Sequence, residues 1–192
     1  MSAVVALLRG INVGGNTKVP MSVLRTIVEA AGHTQVATHL NSGNVVLVPR
    51  AGARSAGSIA DVAAEITAGL RAHLGLDIDV IVRTTAELDD VIAANPFPDA
   101  ARDDPAHLLV MFYAAPVSVD PAFDVARYGR EEVAWDGTHA YLRYPDGVGT
   151  SRLTPGVLAR AAGQAGTGRN WRTVLALRDL ARARDRARPD AD

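Results

Sequence analysis

The chain has 192 residues, of which 48% are apolar and 21% charged, and its formal net charge is −1. That is a globular composition, long enough to bury the core of one domain or two small ones, and it carries no global pull toward nucleic acid or anionic membrane. The absence of cysteine excludes disulfides, thiolate nucleophiles and Cys-based metal or iron–sulfur sites. No apolar run approaches the roughly 20 residues that span a bilayer, and no basic region precedes the short apolar run at the N-terminus. The expectation is a soluble cytoplasmic protein with no membrane partner.

Ala3 to Arg9 reads as a first buried strand bounded by Gly10. The loop from Gly10 to Pro20 holds Asn12, Gly14, Gly15, Asn16 and Lys18, the only lysine beside nineteen arginines. Leu24, Ile27, Val28 and Ala31 then fall at helical spacing, with Gly32 as a stop. Val36 to Leu40 and Val45 to Val48 read as strands joined by the tight-turn sequence Asn41-Ser42-Gly43-Asn44. Arg50 to Gly57 reads as a loop, Ser58 as the cap of a second helix bearing Ile59, Val62, Ile66 and Leu70, and Ile78 to Arg83 as a fourth strand.

This order, β-α-β-β-α-β, is the ferredoxin-like or split-βαβ unit. A right-handed crossover makes the first two strands parallel, with the third antiparallel between them. The carboxyl ends of the first two strands then share one end of the sheet. The Gly10 to Pro20 loop is therefore expected beside the Asn41 to Asn44 turn, although some thirty residues separate them.

Thr85 opens a further helix, stopped by Asn95-Pro96-Phe97-Pro98, and Asp99 to Pro105 reads as a polar connector. A strand from His107 to Tyr113, a short helix near Pro121 to Tyr128, a hairpin around Asp136-Gly137 and a helix from Thr154-Pro155 to Ala162 follow. The second half thus reads β-α-β-β-α and nearly repeats the first, without a convincing residue-level repeat. The last helix starts at Asn170 and buries Trp171, Val174, Leu175 and Leu177; beyond Leu180 it turns into an arginine-rich segment expected to fray. The expected organisation is a first half over 1–84, a helix and connector over 85–105, a second related half over 106–180 and a charged tail over 181–192.

Four segments carry a resemblance: Leu7-Leu8-Arg9-Gly10-Ile11-Asn12-Val13-Gly14-Gly15, Asn41-Ser42-Gly43-Asn44-Val45-Val46, Tyr144-Pro145-Asp146-Gly147-Val148-Gly149, and Arg169-Asn170-Trp171. In this order they resemble the bacterial domain-of-unknown-function family 1697, from about Ala3 to Leu180. The resemblance implies an α+β fold of two related ferredoxin-like halves, each an antiparallel sheet with helices on one face. It implies no reaction. Arg152 stands where the family pattern carries lysine, and Arg172 where it carries asparagine. Positive charge is kept or added at both, which leaves an anion role open and argues against lysine-specific chemistry.

The Gly-rich loop fails the P-loop spacing, because Lys18 comes three residues after Gly15, and it lacks the G-x-G-x-x-G pattern. Two readings remain. Its glycines and asparagines either serve local backbone structure, or Arg9, Asn12, Gly14, Gly15, Lys18, Ser42 and Asn44 together hold a small anionic or phosphorylated ligand. Ser42 does not sit in a nucleophile elbow, since Leu40 holds the position where glycine is needed and a strand follows. The five histidines show no metal-ligand spacing, so no metal is expected, and the carboxylate clusters fall at turns and helix starts. Arg152, Arg169, Asn170 and Trp171 form a secondary candidate, readable as a helix cap and core anchor or as a cationic patch beside an aromatic ring.

Two functions follow. One is a ligand-binding protein, with or without catalysis, whose cofactor is not specified by sequence. The other is an RNA- or protein-interaction module, disfavoured because the strands Val4 to Leu7 and Val45 to Val48 carry no aromatic residue for stacking bases, and kept open by the arginines from Arg178 to Arg188. A homodimer through one sheet is a third arrangement.

Overall fold

The computed structural model describes residues 2–13, 17–50 and 56–187. Contacts along the chain divide it into two compact units, Met1–Val91 with Ala176–Asp192, and Ile92–Leu175.

In the first unit the strands are β1 (Val4–Leu8), β2 (Thr34–His39), β3 (Asn44–Val48) and β4 (Val80–Thr84), and the helices are α1 (Met21–Ala30), α2 (Ala56–Leu74) and α3 (Thr85–Ala93). The sheet order is β2-β3-β1-β4, with every neighbouring pair antiparallel. β1 is central, pairing Val5 with Val46 on one side and with Arg83 on the other. All five of its residues are buried, as expected of an apolar strand flanked on both edges. Val4, Ala6 and Leu8 alternate onto one face and meet Leu24, Ile27 and Val28 of α1 and Val62, Ile66 and Leu70 of α2. α2 opens at Ala56, ahead of the expected Ser58 cap; of the expected 50–57 loop, residues 51–55 lie outside the described residues.

The second unit contains α4 (Pro98–Asp103), β5 (Leu108–Phe112), β6 (Glu132–Asp136), β7 (His139–Arg143), α5 (Pro155–Ala162) and β8 (Thr167–Asn170). Its sheet order is β6-β7-β5-β8, again antiparallel throughout. Since β5, β6, β7 and β8 succeed one another as β1 to β4 do, both halves pair their strands in one order, and the ferredoxin-like duplication extends to a strand absent from the sequence reading. The expected polar connector is partly α4, and the expected helix near 121–128 is a 3-10 turn over Val125–Tyr128.

The last helix, α6 (Trp171–Arg186), begins in the second unit and continues into the first. It does not fray after Leu180. Ala181 is fully buried, and Asp185 accepts hydrogen bonds from the Ala3 amide at 2.6 Å and the Thr85 hydroxyl at 2.8 Å. Residues 188–192 of the expected tail lie outside the described residues.

The duplication leaves a residue-level trace. β4 and β8 each run directly into a helix, and each carries a buried arginine, Arg83 opposite Val5 and Arg169 opposite Val110. In both, Nη1 donates to the carbonyl of the preceding residue, at 2.9 Å for Arg83 and 2.8 Å for Arg169.

Candidate functional site

The loop after β1 and the β2–β3 turn meet at one end of the first sheet. The Leu8 amide donates to the Gly43 carbonyl at 2.8 Å, carrying the β1 edge into the turn. Asn12, at a φ of 55°, folds the loop back on itself: its amide donates to the Thr17 carbonyl at 2.8 Å, and its Oδ1 accepts from the Val19 amide at 3.0 Å. Its Nδ2 donates to the carbonyls of Val19 at 3.1 Å and Asn41 at 2.7 Å. One side chain thus closes the loop and ties it to the turn. Leu40, at a φ of 59°, and Gly43, at 77°, give the turn its left-handed backbone.

At this junction lies an open cleft of about 430 Å³, lined by Asn12, Lys18, Val19, Pro20, Met21 and Asn41. Its apolar lining comes from the loop end and the start of α1, where Val19 is buried, Pro20 exposed and Met21 half-buried, and its polar lining from two asparagines and one ammonium group. No carboxylate among the described residues pairs with the exposed Lys18.

The expected site residues divide into two groups. Lys18 and Asn12 line the cleft. Arg9 is turned to Asp79 at the head of β4, donating from Nε at 2.8 Å in an exposed ion pair. Asn44 is fully buried, and its Nδ2 donates to the His39 carbonyl at 2.7 Å and to Oγ of the exposed Ser42 at 3.0 Å, so Asn44 braces the turn from within. Gly14 and Gly15 lie outside the described residues. Asn41 and the Val19-Pro20-Met21 strip are lining residues that the sequence reading did not single out; Pro20 just ahead of a helical pattern was the available signal.

The secondary candidate separates into structural parts. Asn170 Nδ2 donates to the carbonyls of Pro105 and Ala106, both at 2.9 Å, while Oδ1 caps α6 by accepting from the Arg172 amide at 3.0 Å. Trp171 is buried. Arg169 is 5% exposed, and Nη1 donates to Thr167 Oγ1 at 2.7 Å; burial pushes its pKa down to about 10, which leaves it charged at neutral pH. Arg152 reaches elsewhere, to the Arg127 carbonyl at 3.1 Å. The arginines of α6 are likewise engaged: Arg178 and Arg182 pair with Asp89, and Arg184 donates to the Gln35 carbonyl at 2.7 Å. Burial would raise the pKa of Asp89, but the hydrogen bonds from Arg182 and Arg178 outweigh it and hold the carboxyl below its ordinary range.

Among the described residues no group of three or more His, Asp or Glu side chains is placed to hold a metal ion, and no helix is long and apolar enough to cross a membrane.

The paired ferredoxin-like sheets define an α+β protein built from two structurally related halves. The chain belongs to the family described as "Protein of unknown function (DUF1697)", whose family model matches residues 1–141. Among solved structures it is similar to the conserved bacterial protein SP0830 from Streptococcus pneumoniae, at 18% identity and a TM-score of 0.62, over 94% of this chain and 98% of that one. At this identity the likeness speaks to the fold alone. A search of curated proteins returns no match.

Proposed function

We propose that the protein binds a small anionic ligand, phosphorylated or carboxylated, in the cleft at the junction of the 10–20 loop and the 41–44 turn, with Lys18 as its cation. The observation that carries this reading is the placement of the chain's one lysine, unpaired with any described carboxylate, on a cleft of small-molecule size. A second feature supports it. α1 begins at the cleft with Pro20 at its N-cap position, no capping side chain and no acidic residue in its first turn, so its first amides and its positive dipole end have no anion of their own. The bond from Asn12 to the Asn41 carbonyl holds the cleft's shape, and Asn44 braces the turn that carries Asn41.

The interaction-module reading gains no comparable support, because Arg178, Arg182 and Arg184 are engaged with Asp89 and Gln35.

A thermal-shift panel of inorganic phosphate, sugar phosphates, nucleotides, dicarboxylates and short RNA tests the proposal on wild type and Lys18→Ala. A ligand at a hundred times its Kd adds about 2.7 kcal/mol, roughly 5–10 °C in Tm for a chain of this size. A response to a small anion that Lys18→Ala abolishes is the expected result. An anion response that persists undiminished in Lys18→Ala, or a response to RNA alone, contradicts it.

A further inference from the structure

The two most exposed large apolar side chains among the described residues are Val13, 64% exposed, and Leu40, 57% exposed. Each is the chain neighbour of a cleft-lining asparagine, Val13 of Asn12 and Leu40 of Asn41. Scattered apolar residues on a surface are ordinary, but these two occupy the two segments that meet at one cleft. Leu40 also holds a left-handed backbone, which leucine adopts rarely and which asparagine or glycine would adopt more readily. Leucine therefore stands in a position where local conformation favours a polar residue. Within the cleft, the accessible apolar lining is Pro20 and the half-buried Met21, while Val19 beside them belongs to the core.

Resting on the anion reading above, we infer that the ligand is amphipathic: a small soluble molecule whose phosphate or carboxylate meets Lys18 and whose hydrocarbon or aromatic body covers the strip between Val13, Met21 and Leu40. An inorganic ion would leave this apolar surface in water. A ligand with an apolar body removes it from water, and the gain scales with the area covered. A soluble ligand is favoured over a membrane lipid by charge: Lys18 is the only lysine, Arg9 beside the loop is paired with Asp79, and the chain is net negative, whereas surface binding to anionic lipid needs a basic cluster.

The test is calorimetric titration of the full chain with inorganic phosphate, with methyl, butyl, hexyl and octyl phosphate and with the matching alkyl carboxylates below their micelle concentrations, beside vesicles of phosphatidylcholine containing phosphatidylglycerol. Wild type is expected to bind the alkyl phosphates more tightly as the chain lengthens, by up to about fourfold per covered methylene. Leu40→Asn, which suits the left-handed backbone and so keeps the fold, is expected to flatten that gain at least tenfold for octyl phosphate while leaving inorganic phosphate binding unchanged, and Val13→Ser to act in the same direction. Lys18→Gln should weaken the whole series in parallel. Equal affinity for inorganic and octyl phosphate overturns the amphipathic inference and leaves the anion reading standing. Failure of every phosphate and of the matching alkyl carboxylates to bind overturns both, and binding to the vesicles without binding to any of these soluble anions replaces the small molecule with a membrane surface.

Discussion

The side-chain amide of Asn12 donates to the main-chain carbonyl of Asn41 at 2.7 Å, joining two segments 29 residues apart. The same amide group also donates to the Val19 carbonyl and its oxygen accepts from the Val19 amide. Asn12 is therefore the pin of the cleft rather than a free ligand donor, and its left-handed φ of 55° is one that asparagine tolerates. Asn12→Ala is expected to cost about 2–4 kcal/mol, combining lost hydrogen bonds with backbone strain. Asn12→Gly should recover the strain and lose only the bonds. Urea denaturation of both variants measures the difference; equal losses would contradict the backbone part.

Gly43 sits where the turn presses on the loop. A Cβ there would lie 2.5 Å from Ile11 Cδ1 and 2.9 Å from Leu8 Cβ, at a φ of 77°. Gly43→Ala is expected to destabilise by more than about 2 kcal/mol, because overpacking adds to the backbone cost. Gly10→Ala is the control: its φ is 67° but nothing lies within 4 Å of an added Cβ. It should cost only about 1 kcal/mol. Thermal denaturation of the pair separates the two terms.

The meeting of loop and turn was legible in the sequence because strand order and crossover hand determine it, and the Asn41-Ser42-Gly43-Asn44 turn marks the hairpin unmistakably. β8 was not legible. Its residues Thr167-Gly168-Arg169-Asn170 carry no apolar alternation: Thr167 and Arg169 are the buried pair, so a cation stands where a strand pattern calls for an aliphatic residue. Gly166 hides it further, since a Cβ there would lie 2.8 Å from the Phe112 carbonyl oxygen, so this glycine answers to packing rather than to a turn. The α6 extension is hidden in the sequence for a related reason. Its arginines look like a solvated face, and only the fold reveals that Asp89, Gln35 and Ala3 are waiting for it. Within the site, lysine and loop could be read in sequence, but the roles of Asn12 and Asn44 could not, because a side chain's partner in a loop is set by where the distant carbonyls fall.

His33 gives the first unit a pH dependence. Its side chain is buried, Nδ1 accepts from the Arg50 amide at 3.4 Å, and Nε2 lies 3.2 Å from Glu65 Oε2 without hydrogen-bond alignment. Burial lowers its pKa, Glu65 raises it and Arg50 lowers it further, and the net direction is down from 6.5. Below 6.5 the unfolded chain therefore binds the proton that the folded chain resists, so stability falls as pH drops through and below 6.5 and is recovered above it. His33→Gln is expected to lose less stability than wild type between pH 7 and pH 5. Urea midpoints at the two pH values give the comparison, and parallel losses would remove His33 as the cause.

Asp185 fastens the end of α6 to the start of β1 and to α3 through Ala3 and Thr85. Asp185→Ala should cost about 1–3 kcal/mol by leaving a buried hydroxyl and a strand amide without this acceptor. Truncation after Leu180 should cost more, because it also removes the buried Ala181 and the Arg182 partner of Asp89. Differential scanning calorimetry checks both; a truncated chain melting with wild type would mean that the segment is an ornament to the fold.

Anion binding at Lys18 can be followed residue by residue by titrating phenyl phosphate into the ¹⁵N-labelled protein and recording its amide resonances. Binding in the cleft should give saturable shifts concentrated on Asn12, Lys18, Val19, Met21 and Asn41, absent in Lys18→Ala although that variant keeps the wild-type spectrum elsewhere. Shifts of equal size in Lys18→Ala, or shifts centred on residues away from the cleft, would contradict it.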